Sequence, residues 1–201
     1  MFGFLKLGAY LFHPLLLPVY AAAIYFNKTP KFVEESVMHS SLLALLILMV
    51  LLPVSLFFLF RNIGWISSLE LTEVRERRLP LMVQGVLVLM VIKFVFPPYD
   101  YPEMYYFFVG VLFSTMTALL LVFFKQKASL HQMGIAGATV FVIALSIHFQ
   151  VNMLYWIAFL LIANGWVASS RLATHSHTMP ELIMGGFVGV VPQLIVLNLW
   201  L

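Results

Sequence analysis

The chain has 201 residues, 63% hydrophobic and 9% charged, with a formal net charge of +3 and a mean hydropathy of +1.02. Soluble domains carry about 25% charged residues, so this composition excludes a soluble globular protein and describes a chain embedded in a bilayer. The basic residues sit in short loops rather than in a stripe, which excludes a nucleic-acid partner, and the absence of cysteine excludes a disulfide framework or thiolate chemistry.

A spanning helix needs about 20 mainly apolar residues, within a range of roughly 17–25. Leu7–Phe26 is long enough, with Pro14 and Pro18 predicting a kink. The same prolines interrupt the apolar stretch ahead of Ala21-Ala22-Ala23, so the segment reads as a retained first span rather than a cleaved signal. Ser41–Phe60 is the second span, closed by Arg61. The start Ser67-Ser68-Leu69-Glu70 predicts a short interfacial helix running to about Arg78 and ended by Pro80, with Arg75 and Arg78 on one face.

Leu81–Phe96 follows as the third span, then an aromatic turn from Pro97 to Pro102, and Tyr105–Phe124 as the fourth. A brief polar stretch, Lys125–His131, leads into a fifth span ending near His148. Met153–Ser169 is the sixth and Leu182–Leu201 the seventh. No repeat or linker divides the chain, so residues 1–201 are expected to form one all-α, polytopic bundle of six to seven transmembrane helices. The expected location is a cell membrane.

Three polar islands stand out: Glu70–Pro80, Lys125–His131 and Ser170–Glu181. Ionisable groups are costly in hydrocarbon, and a cluster of them between spans marks a functional site. The islands follow the second, fourth and sixth spans, and two crossings separate each from the next. Alternation therefore places all three at one membrane face. That face carries Lys6, Arg61, Arg75, Arg77, Arg78, Lys125, Lys127 and Arg171, against Lys28, Lys31 and Lys93 on the other. The bias points to the cytoplasm, but it nearly vanishes once Arg75, Arg78, Lys127 and Arg171 are set aside for a site, so the side stays open.

The third island places Ser170-Arg171, His177 and Glu181 in sequence, with Pro180 suited to the first turn of a helix. A carboxylate accepting one imidazole N–H leaves the other ring nitrogen free to attack. The second island adds Lys127, Ser129 and His131, the last suited to proton transfer with a leaving alkoxide. Arg171, Lys127 and one or two of Arg75, Arg77 and Arg78 suit phosphoryl oxygens. His175 and His177, two apart and without cysteines nearby, make a poor metal pair, and no metal or cofactor is expected. His13, His39 and His148, near span ends or beside prolines, read as packing or interface residues. A solute transporter is disfavoured because the ionisable groups lie at span ends rather than at the midplane.

Ser170-Arg171-x5-His177-x3-Glu181 resembles the third signature of the type-2 phosphatidic acid phosphatase superfamily, which ends in aspartate. Ala128-Ser129-Leu130-His131 resembles its second, Pro-Ser-Gly-His, and Arg75-Glu76-Arg77-Arg78-Leu79-Pro80 is similar to a worn first signature, a lysine followed six residues later by Arg-Pro. The resemblance covers about Glu70 to Gly189. It implies metal-independent hydrolysis of a lipid phosphate monoester or diphosphate through a phosphohistidine. Members act on phosphatidate, phosphatidylglycerol phosphate, polyprenyl diphosphates or lipid A phosphates. By position His177 is then the nucleophile, Glu181 its orienting partner and His131 the acid and base. Arg171, Ser129 and Arg78 contact phosphate, with Ser170, Arg75 and Lys127 beside them. The departures are Glu181 for aspartate, Ala128 and Leu130 for proline and glycine, and Leu71 at the lysine position. They motivate the alternative of an inactive descendant that binds or moves anionic lipids.

Overall fold

The computed structural model describes residues 2–67 and 73–201, and among them the chain is helical without strands. The helices are α1 (Phe2–Leu11), α2 (Leu17–Lys28), α3 (Glu35–Asn62), α4 (Arg78–Phe94), α5 (Pro102–Phe123), α6 (Leu130–His148), α7 (Leu154–Ala173) and α8 (Met179–Leu197). Five of them, α3 and α5 to α8, are long and apolar enough to cross a bilayer, which makes this an integral, multi-pass helical bundle. With 17 residues, α4 sits at the lower end of the spanning range of about 17–25.

Prolines account for the irregularities. The expected first span is broken rather than kinked: Pro14 lies in the turn between α1 and α2, and Pro18 in the first turn of α2. Pro53 has no N–H to offer the carbonyl four residues back, and the turn ahead of it, Ile47–Leu51, widens to π-helical geometry within α3. Contrary to the expectation from the sequence, Pro80 does not end a helix. It sits in the first turn of α4, where the missing N–H would have had no helical partner. Ahead of it Val74–Arg77 forms a single 3-10 turn. The expected helix start at Ser68–Glu70 lies outside the described residues.

The most extensive helix pair is α6 with α8. Glycines set its spacing: a Cβ on Gly185 would lie 2.5 Å from the Ser129 carbonyl oxygen, and one on Gly189 would collide with the Met133 carbonyl. Small residues let backbones approach in this way where lipid supplies no hydrophobic force between helices. The main apolar core, around Phe108, Phe141, Leu145 and Met104, fills one half of the bundle. In contrast α3 has little of its surface buried and packs mainly against α2 and α4.

One end of the bundle holds a buried charge. Glu103, 1% exposed, accepts hydrogen bonds from Lys31 Nζ at 2.6 Å and Tyr25 OH at 3.1 Å, and His148 Nε2 lies 3.3 Å away. A carboxylate withdrawn from water persists only when paired in this manner. The described parts of the three polar islands lie at the opposite end.

Gly189→Ala is expected to exceed the ~1–3 kcal/mol cost of ordinary overpacking, because the obstacle is backbone rather than a side chain. Thermal unfolding of the detergent-solubilised protein measures this. Gly165→Ala, where the added Cβ meets nothing within 4 Å, is the neutral control.

Candidate functional site

The loop from α7 to α8 is fixed at both ends by hydrogen bonds to its backbone. At the end of α7, His175 takes a left-handed conformation (φ 52°). Ser176 N–H then reaches the Arg171 carbonyl at 3.1 Å and His175 N–H the Leu172 carbonyl at 3.0 Å, the pattern of a helix C-terminal Schellman turn. The His177 N–H also points at the Arg171 carbonyl, at 3.4 Å, so the turn ties His177 to the arginine six residues earlier. At the start of α8, Thr178 and Glu181 form a reciprocal capping box. One oxygen of Glu181, Oε2, accepts both the Thr178 N–H (3.1 Å) and His177 Nδ1 (2.8 Å).

A carboxylate can only accept, so the His177 proton is on Nδ1 and the lone pair on Nε2. Burial pushes this imidazole down to about 4; the bond to Glu181 pulls the other way, while Arg77, Lys127 and Arg171 add to the depression. His177 is therefore neutral at pH 7.

The three islands meet here. Ser129 N–H donates to the Glu181 carbonyl at 3.1 Å, joining the second island to the third. Lys127 Nζ donates to the Ser176 carbonyl at 3.0 Å. Arg77, 5% exposed, donates from Nη1 to the Ala128 carbonyl at 3.0 Å, which brings in the first island. Arg77, Arg171 and Lys127 all act on the His177 ring, with Glu181 as the carboxylate among them. That excess of positive charge suits a dianion.

A cavity of about 960 Å³ opens from this cluster into the apolar interior. His131, His177, Arg77, Arg171 and Ser170 line its polar end, and Ser170 Oγ is buried without a hydrogen-bond partner. Phe107 and Gln193 are the lining residues farthest along α5 and α8 from the site. Gln193 lies twelve residues past Glu181, or ~18 Å along the helix.

Several residues expected at a phosphate do not line this cavity. Arg75 is exposed, and the Arg78 guanidinium lies 4.8 Å from the centre of the Phe123 ring. The reason is local: a 3-10 turn leading into α4 points Arg77 inward, where a continuous helix from Ser67 would have paired Arg75 with Arg78. Ser129 is fully buried as the N-cap of α6, its Oγ accepting the Gln132 N–H at 3.4 Å. Lys127 and Glu181 stand behind His177 rather than on the cavity wall. His175 is exposed, and no group of three His, Asp or Glu among the described residues is placed to hold a metal ion.

His13, expected from the sequence to be a packing or interface residue, belongs here as well. His13, in the turn between α1 and α2, lines the cavity with its ring 5.1 Å from that of His131 and nearly perpendicular to it. The only signal for it in the sequence is a histidine beside a proline inside an apolar stretch.

His177 gives a pH prediction. Its folded-state value lies below the unfolded one, so between about pH 6.5 and 4 the unfolded chain binds a proton that the folded chain refuses. The folded state loses stability as pH falls through that window, and His177→Gln is expected to flatten the fall in thermal midpoint between pH 7 and 4.5. His175→Gly should raise the midpoint by removing left-handed strain of the order of 1 kcal/mol, leaving the site's chemistry unchanged.

No family model matches the chain, and no curated protein or solved structure shows a significant similarity to it, so the chemistry of this site rests on its geometry.

Proposed function

We propose that the protein is a membrane-embedded phosphatase that hydrolyses a lipid phosphate monoester or diphosphate through a phosphohistidine on His177, without a metal. The observation that carries this reading is the buried His177 ring, held on Nδ1 by Glu181 at 2.8 Å, with Arg77, Arg171 and His131 on the same cavity wall. The order of the residues, similar to the type-2 phosphatidic acid phosphatase signatures, supports it independently.

In the first step the Nε2 lone pair of His177 attacks phosphorus. The P–O bond to the lipid breaks, and His131 gives its proton to the departing alkoxide. Glu181 stabilises the positive charge that develops on His177, while Arg77, Arg171 and the Ser170 hydroxyl hold the equatorial oxygens. In the second step water attacks phosphorus and its proton passes to His131. The P–N bond breaks, and the electron pair returns to Nε2. His131 enters the cycle as the imidazolium, with the ester supplying the counter-charge. The substrate's hydrocarbon occupies the apolar part of the cavity, which favours a lipid over a soluble ester.

His177→Ala and His131→Ala are each expected to abolish phosphate release from lipid phosphates in detergent or liposomes, and EDTA to leave the wild type unaffected. Arg77→Ala should lower activity more than Arg75→Ala, by about a hundredfold for a lost charge-stabilising donor. Undiminished activity in the His177 variant eliminates the mechanism. A wild type that binds phosphatidate vesicles but never incorporates radiolabelled phosphate would instead be a non-catalytic lipid binder.

A further inference from the structure

His131 lies in the first turn of α6, the second residue of the helix. Two contacts from outside the motif-bearing part of the chain restrain it, both from the N-terminal turn. The Ala9 carbonyl at the end of α1 accepts a hydrogen bond from the ring, and the His13 ring meets it edge-on at 5.1 Å, with an interplanar angle of 85°. Arg171 and His177 also act on His131 electrostatically.

His13 is itself held in place. The Leu15 N–H points at His13 Nδ1 from 3.3 Å, which requires a lone pair there and so puts the proton on Nε2 of a neutral ring. The turn is closed by the Leu16 N–H on the His13 carbonyl at 2.9 Å. It seats on α6 at Gly134, where an added Cβ would lie 2.7 Å from Leu17 Cδ1 and 3.6 Å from Pro14 Cα. Gly134 is three residues after His131, hence on the same helix face, so the seat and the ring contact belong to one surface.

We infer that His13 is a positioning residue for His131: its ring, carried by the α1–α2 turn, holds the His131 imidazole in the orientation from which it exchanges a proton with the leaving group. The inference rests on the phosphatase reading and extends the active site beyond the chain segment that resembles the phosphatase signatures. His13 acts through His131 and needs no contact with phosphorus. Its loss therefore matters in proportion to how much the departing oxygen needs a proton. An alkoxide leaving a glycerol lipid needs one; nitrophenolate does not.

The experiment uses the full chain in detergent micelles and follows the first turnover by rapid quench. Phosphoenzyme formation is measured with radiolabelled phosphatidate and with radiolabelled p-nitrophenyl phosphate. His13→Ala is expected to slow labelling by phosphatidate about tenfold to a hundredfold, the scale of a misplacement near 1 Å, with KM changed less than about twofold. Labelling by p-nitrophenyl phosphate should stay within about twofold of wild type, since it makes no use of the acid. His13→Phe, which keeps a ring edge against His131, should recover most of the phosphatidate rate. Equal slowing with both probes, no slowing with either, or a His13→Phe variant no better than His13→Ala would each overturn the inference while leaving the phosphatase reading standing. A wild type that labels with neither probe would overturn that reading and this inference with it.

Discussion

The N-termini of α6 and α8 are joined by a backbone hydrogen bond from Ser129 N–H to the Glu181 carbonyl, 3.1 Å long. Gly185 and Gly189 remove the side chains that would hold the two helices apart. From this approach the remaining geometry follows. His131 occupies the second position of one helix, and His177 stands just ahead of the other. Two helix starts side by side bring the positive ends of two dipoles to one place. Together with Arg77 and Arg171, they create a potential that suits a phosphoryl group and that lipid alone would never offer. Function is thus built by backbone proximity first and by side-chain chemistry second.

Glu181 shows how economically that proximity is used. As the third residue of α8 it completes a capping box, and the same oxygen orients His177. The signature it resembles has aspartate there. The longer side chain lets one carboxylate reach back to the Thr178 N–H and across to the imidazole, so the substitution is compatible with the geometry of an orienting partner.

The bundle itself was legible because hydrocarbon forces a long apolar run for each crossing, and the convergence of the islands followed from counting crossings. Pro180, Glu181 and His177 were legible because helix caps are local. Arg77 was not separable from Arg75 and Arg78, since three arginines within four positions differ only in where a turn points them, and the 3-10 geometry of Val74–Arg77 is decided by packing. His13 was hidden for a different reason. Its role depends on the first span breaking at Pro14 and on Gly134 of α6 receiving the turn, a relation across more than a hundred residues. Ser129 sits fully buried as the N-cap of its own helix, a role that its position ahead of Leu130 does not distinguish from contact with phosphate.

At the far end of the bundle, Glu103 draws its partners from elements distant in the chain: Tyr25 in α2, Lys31 just after it, and His148 at the end of α6. A carboxylate on a helix inserted by itself would have to stay near the aqueous boundary, because apolar surroundings penalise it until a counter-charge arrives. Neither α2 with α5 nor α5 with α6 supplies the complete set. The full set of partners that lets Glu103 stay buried thus exists only once all three segments have associated, so a single anion couples the folding of helices far apart in the chain.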